Sequence, residues 1–167
     1  MILLTVGTQL PFDRFVAIVD RLAPALPERV FAQIGHGHYR PVNMDWCPFV
    51  GPIEFERLIG ECSAIIAHAG IGTVVMAQKH GKPLVLFPRR AARGEHRNDH
   101  QLATVRALGL RSGIRVALDD EELAAAITVS QSAPELGEYL PGRDKLCSAI
   151  TALLVEEQHR YPPRSPT

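Results

Sequence analysis

The chain has 167 residues, 46% of them hydrophobic, and its 18 Lys and Arg balance 18 Asp and Glu. That length holds one α/β domain of ordinary size, and a net charge of zero removes the global pull that a nucleic-acid binder uses, so nucleic acid is not an expected partner. Cys47, Cys62 and Cys147 are far apart and form no CxxC pair, which argues against a disulfide framework or a zinc knuckle and predicts reduced thiols in a cytoplasmic protein.

The elements are predicted in chain order. Ile2 to Val6 reads as a buried strand that opens the chain with no basic n-region before it, and Gly7-Thr8-Gln9-Leu10-Pro11 as a turn. Phe12, Phe15, Val16, Val19, Leu22, Ala23 and Leu26 recur at helical spacing, with Pro24 and Pro27 closing the helix. Val30 to Ile34 is a second strand, and Cys47 to Gly51 a short third one. Phe55, Leu58, Ile59 and Cys62 stripe a helix, after which Ala64-Ile65-Ile66-Ala67 is a fully apolar strand. The stretch His68-Ala69-Gly70-Ile71-Gly72-Thr73 then turns that strand into the helix that begins near Val74.

Gly81-Lys82-Pro83 stops this helix, and Leu84 to Phe87 forms another buried strand ending at Pro88. A polar loop follows from Arg89, and Asn98 with Gln101 three residues on has the form of a capping box for a helix through Leu102, Val105 and Leu108. Ile114 to Leu118 is the last strand, and Asp119-Asp120-Glu121-Glu122 starts a helix. Leu146, Ala149, Ile150, Leu153 and Leu154 stripe a final helix, and residues 161–167 have the composition of a disordered tail. Alternation of strands and helices, with near-continuous apolar strands, predicts an α/β fold with a Rossmann-like, doubly wound parallel sheet. Ligands of such sheets lie beyond the carboxyl ends of the strands, where Gly7-Thr8, the His68–Thr73 stretch and the Arg89–Gln101 loop would meet.

The chemistry of those three loops suits an anion. Gly70 and Gly72 let the backbone approach a ligand, and the first amides and dipole of the following helix favour phosphate; tight packing of helix on strand explains the same glycines equally well. Thr8 and Thr73 are either helix-start caps or phosphate contacts, and His68 is either a structural histidine or a ligand contact. Four arginines between Arg89 and Arg97 concentrate positive potential fit for a diphosphate or a carboxylated sugar. Glu95, His96, Asp99 and His100 do not have the order of a metal site, and hydrogen bonding of Glu95, Asn98 and His100 to a polyhydroxyl ligand is the preferred reading; Gln101 either contacts the ligand or bonds back to Asn98. The third glycine and the ribose carboxylate of a dinucleotide site, a GxxxxGK[ST] loop, a GxSxG elbow and an Asp-x-Asp pair are all missing from the sequence.

Taken together, His68-Ala-Gly-Ile-Gly-Thr73, Gly81-Lys82-Pro83 before an apolar strand, His100-Gln101 at a helix start and Thr5-Val6-Gly7-Thr8 at the front resemble the donor-binding domain of family 28 glycosyltransferases. The resemblance covers nearly the whole chain and is strongest to the small soluble subunits of split glycosyltransferases, the dolichol-pathway GlcNAc transferase subunit and the bacterial exopolysaccharide PssE type. It implies a single GT-B donor-binding half over residues 1–160. It implies a UDP-sugar donor with its diphosphate near Gly70, Gly72 and Thr73 and its sugar near His100 and Gln101, and inverting transfer that needs neither metal nor other cofactor. Partners implied are a membrane-attached acceptor-binding subunit and a polyprenyl-linked sugar acceptor, which would place the chain at the cytoplasmic face of the membrane. His96 is the candidate general base within the chain, having a suitable ordinary pKa. Where the related lipid II synthase carries a ribose-binding Glu, this sequence has Met76. The alternatives are a non-catalytic nucleotide-sugar-binding regulatory module and an NADP oxidoreductase using Arg89.

Overall fold

The computed structural model describes residues 1–109 and 112–130; the expected helix over Leu146–Leu154 and the tail at 161–167 lie outside them. Six parallel strands form a single sheet in the order β3-β2-β1-β4-β5-β6: β1 (Ile2–Thr5), β2 (Val30–Gln33), β3 (Asp45–Cys47), β4 (Ala64–His68), β5 (Leu84–Phe87) and β6 (Ile114–Val116). The α-helices among the described residues are α1 (Asp13–Leu22), α2 (Pro52–Glu61), α3 (Ile71–Lys79), α4 (His100–Leu108) and α5 (Asp120–Ser130). This is the doubly wound Rossmann order, whose direction of winding reverses between β1 and β4.

Side-chain alternation explains why both faces are covered. Ile2 and Leu4 of β1 point into a core built with Phe15, Val16 and Val19 of α1 and Leu123 and Ile127 of α5. Leu3 points the other way, with Ile65 of β4, into a core shared with α2, α3 and α4. Two buried faces demand strands that are apolar at every position, which is how β1, β4 and β5 read in the sequence. Fully burying one such Leu or Ile contributes roughly 1.5–3 kcal/mol, so the central strands are the stiffest frame on which loops can be mounted.

Two boundaries differ from expectation for a visible reason. α1 ends at Leu22 and passes into a 3₁₀ turn at Ala23–Ala25, because Pro24 lies at its second position. β3 comes earlier than Cys47–Gly51: Pro48 interrupts that stretch, and Phe31, Ala32 and Gln33 of β2 pair with Asp45, Trp46 and Cys47. The loop before β3 is fastened by a carboxylate that the hydrophobic pattern had not flagged. Asp20, 1% exposed on α1, accepts hydrogen bonds from the Val42 and Asn43 amides and the Tyr39 hydroxyl.

Candidate functional site

A cleft of about 680 Å³ opens at the carboxyl ends of β1 and β4, where the winding reverses. The β1–α1 loop supplies Gly7 and Thr8, the β4–α3 turn supplies His68, Gly70, Gly72 and Thr73, and the segment from β5 to α4 supplies Arg89, His96, His100 and Gln101. Glu95 and Asn98, expected beside them as ligand contacts, do not line it.

His68 explains two of the glycines. A Cβ on Gly7 would lie 2.6 Å from His68 Cε1, and one on Gly70 would lie 2.3 Å from His68 Nε2, so the imidazole occupies the space both residues leave empty. Gly7 also has φ +78°, the left-handed region that favours glycine. Gly72 is different: nothing lies within 4 Å of the position its Cβ would take. The room at Gly70 therefore goes to a neighbouring side chain, while the room at Gly72 faces the open cleft. Burial, reinforced by the positive charge of Arg89, pushes the His68 pKa down to about 4 despite an opposing pull from the Thr5 carbonyl. Its Nδ1 is buried without a hydrogen-bond partner. At neutral pH it is an uncharged imidazole.

The start of α3 carries the anion chemistry. Gly70 is its N-cap in extended conformation, and no side chain caps the helix. The amides of Ile71, Gly72 and Thr73, being in the first turn, have no carbonyl of their own helix to bind. Thr73 is buried and lines the cleft without serving as a cap, and Thr8 is exposed in the loop ahead of α1, whose N-cap is Phe12. Free amides and the helix dipole together favour a phosphate at this point.

The arginine loop is less open than its sequence suggests. Arg89 is 2% exposed, and its guanidinium donates to the carbonyls of Val6 (2.9 Å), Leu10 (2.7 Å) and Pro11 (2.5 Å). Glu95 accepts two bonds from Arg14, at 2.5 and 2.9 Å, and one from the Arg90 amide at 2.9 Å. Arg90 in turn donates to the Leu118 carbonyl. Arg89 and Glu95, both expected as ligand contacts, are thus tied into the loops themselves, Arg89 while still lining the cleft; Arg93 and Arg97 remain exposed.

The capping box is also absent. α4 begins at His100 after an Asp99 N-cap that makes no side-chain cap bond, and Gln101, 4% exposed, accepts the Arg89 amide through Oε1 at 3.0 Å. Asn98 Oδ1 instead accepts from His100, through both its backbone amide and Nδ1. The His96 ring stands edge-on to His100 with centroids 4.4 Å apart, and its Nδ1 accepts the Asn98 amide at 3.4 Å. The two imidazoles therefore differ: Nδ1–H donation leaves the lone pair of His100 on Nε2, whereas His96 has its lone pair turned toward the backbone.

Several lining residues, Met76 apart, escaped the sequence reading as site residues. Thr5 accepts the Gly7 amide (3.3 Å) and donates to Gln33 Oε1 (3.4 Å), so two buried polar groups stand at the ends of β1 and β2. A polar residue closing an otherwise apolar strand was the available signal. Val50, Phe55 and Met76 form an apolar wall, and the side chain of Met76 offers a ribose no hydrogen-bond acceptor comparable to a carboxylate. Among the described residues no three His, Cys, Asp or Glu side chains are placed to hold a metal ion.

The fold and the cleft define a Rossmann-like half of the kind that carries the donor site in GT-B glycosyltransferases. The chain belongs to the glycosyltransferase family 28 C-terminal domain, which matches residues 1–138. No curated protein matches it in sequence. Among solved structures it is similar to the glycosyltransferase of kitacinnamycin, with 21% identity and a TM-score of 0.59 over 80% of this chain and 35% of that one. It is similar to ALG13, with 17% identity and a TM-score of 0.57 over 87% of this chain and 93% of that one. MurG of Acinetobacter baumannii is similar at 15% identity and a TM-score of 0.53 over 82% of this chain and 46% of that one. The chain thus spans less than half of the kitacinnamycin enzyme and of MurG, and nearly all of ALG13.

Proposed function

We propose that the cleft binds a UDP-sugar, glucuronate or N-acetylglucosamine, and that the chain transfers the sugar to a polyprenyl-linked acceptor together with a membrane-attached acceptor-binding subunit, in exopolysaccharide or capsule synthesis. The observation that carries this reading is the start of α3 at the winding reversal: free first-turn amides and an open side at Gly72, in a chain of this family. The diphosphate lies against Gly72 and Thr73, with neutral His68 beside it. The sugar lies toward His100 and Gln101. Departure of UDP is stabilised by amides and helix dipole without a metal.

The likeness to ALG13, matched almost end to end, supports a subunit that works with a partner. In this reading the chain is held at the cytoplasmic face through that partner; no helix among the described residues is long and apolar enough to cross a membrane. A base for the acceptor hydroxyl is supplied by the partner or by this chain. Within the chain His96 lines the cleft, but the free Nε2 lone pair of His100 makes His100 the better placed of the two.

Calorimetric titration with UDP, UDP-N-acetylglucosamine, UDP-glucuronate and NADPH, repeated on Gly72→Asp, tests the reading. A UDP-sugar should bind, and the added carboxylate should abolish binding while the melting temperature holds. Binding of NADPH in place of UDP ligands would overturn it. Tight UDP binding that no candidate partner and acceptor convert into transfer would leave a regulatory module instead.

A further inference from the structure

A buried cation with no carboxylate of its own needs a reason. Glu95, the acidic group whose charge favours Arg89, is already held by Arg14 in a two-bond pair, so the groups that bond the Arg89 guanidinium itself are backbone carbonyls. Those carbonyls belong to Val6, Leu10 and Pro11, on both sides of the loop whose residues Gly7, Thr8, Gln9 and Leu10 form one wall of the cleft. Besides these, the Val6 amide donates to the Gln33 carbonyl and the Gly7 amide to Thr5, both at the start of the loop. The guanidinium plane also lies over the Phe12 ring, 4.4 Å from its centroid, at the start of α1. The Arg89 amide is meanwhile held by Gln101, so one residue spans the first loop, the end of β5 and the start of α4.

We infer that Arg89, besides lining the cleft, is a positioning residue that clamps the loop over residues 6–11 as a preformed wall of the donor cleft, acting on the ligand through that loop. The inference rests on the cleft taking a nucleoside diphosphate. A fork of rigid, divergent N–H donors is what the task requires: three carbonyls around a loop are reached at once by a planar guanidinium, while a lysine ammonium would radiate its donors from one point and lose the ring contact. Holding the loop beforehand removes the ordering cost from binding.

The test is ¹⁵N relaxation of the loop amides together with UDP titration, on the wild type, on Arg89→Lys and on Arg89→Ala with and without methylguanidinium. In the wild type, amides of residues 7–10 should have order parameters near about 0.85, as in rigid backbone, and in both variants they should fall below about 0.6. UDP affinity should fall about tenfold in step with that mobility, while the amides of β1 and β4 stay rigid. Methylguanidinium should restore loop order and affinity to Arg89→Ala together. A wild-type loop that is mobile without UDP overturns the inference even if neither variant folds. So does an Arg89→Lys protein that keeps both loop order and affinity. Failure of the wild type to bind UDP would sink the functional reading instead, and would leave the loop data to judge the clamp.

Discussion

The sheet has a hollow at each end, and the two differ in charge. At the amino-terminal ends of the strands, Met1, Arg29, Asp45, Glu54, Arg57 and Glu61 surround a hollow of about 390 Å³. It is rich in charge, yet Met1, Glu54, Arg57 and Glu61 are already in ion pairs. Arg57 pairs with Glu54 and Glu61, which hold its pKa above the ordinary arginine value, and the Met1 ammonium pairs with Glu28. The cleft at the carboxyl end is lined by glycines, an uncharged imidazole, helix-start amides and one arginine already committed to carbonyls. What marks a binding site here is hydrogen-bonding capacity left over, not charge.

That contrast can be broken most forcefully at the glycines around His68. Gly7→Ala should destabilise the fold by on the order of 3 kcal/mol, because left-handed backbone strain adds to a clash with a buried ring. Gly70→Ala should follow closely. Chemical denaturation measures both, and a loss of UDP binding without a loss of stability would show that these glycines serve the ligand alone.

Acid should cost the cleft more than the opposite hollow. His68 has its pKa pushed from 6.5 to about 4, so between those values the unfolded chain binds a proton that the folded chain refuses. Stability therefore falls as pH drops through that window and levels off below it. From pH 6.5 to 5 the loss is about 2 kcal/mol at most, and His68→Gln should flatten it. A pH-independent denaturation midpoint across that range would refute the buried neutral imidazole.

Glu95 gives a smaller effect at lower pH. Burial pushes its carboxyl up, but the Arg14 pair and the Arg90 amide outweigh that and hold it below the usual range. Its contribution is present above the ordinary carboxylate pKa and is lost as pH falls through the depressed one. At pH 7, Glu95→Gln should cost about 1–2 kcal/mol in urea unfolding.

Two substitutions sharpen the comparison by doing little to the fold. Gly72→Ala meets no atom and lies in a helix, so stability should change by less than about 1 kcal/mol in the favourable direction, while UDP affinity falls if phosphate sits against that backbone. Arg57→Gln, at the charged hollow, should leave both melting temperature and UDP affinity unchanged, since exposed pairs contribute little.

The frame was legible because its physics is local. Two buried faces require apolar runs, so β1, β4, β5 and the helices between them stood out, and with them the position of the glycine turn. The partners of charged loop residues were not legible. Gln101 three residues after Asn98 satisfies a capping pattern, but a buried amide on Arg89 outcompeted it. Arg89 read as a cation for a ligand, and only the folded chain brings the Val6, Leu10 and Pro11 carbonyls around it. Gly70 read as room for a phosphate, and the room is taken by a ring two residues earlier. The Arg89 guanidinium bonds join loops of different strands, the Gln101 bond was masked by a plausible local one, and the His68 ring lies within the same turn as Gly70.

The pairing of β1 on both edges has a temporal consequence. Ile2 is aligned with Val30 on one side and with Ala64 on the other, so β1 finds its first neighbour early in synthesis and waits for the second until the chain has grown through β4. The cleft lies across that second seam. A nascent chain ending before β4 holds one lip of the site and nothing for it to face, so donor recognition should emerge abruptly during elongation, when the seam closes.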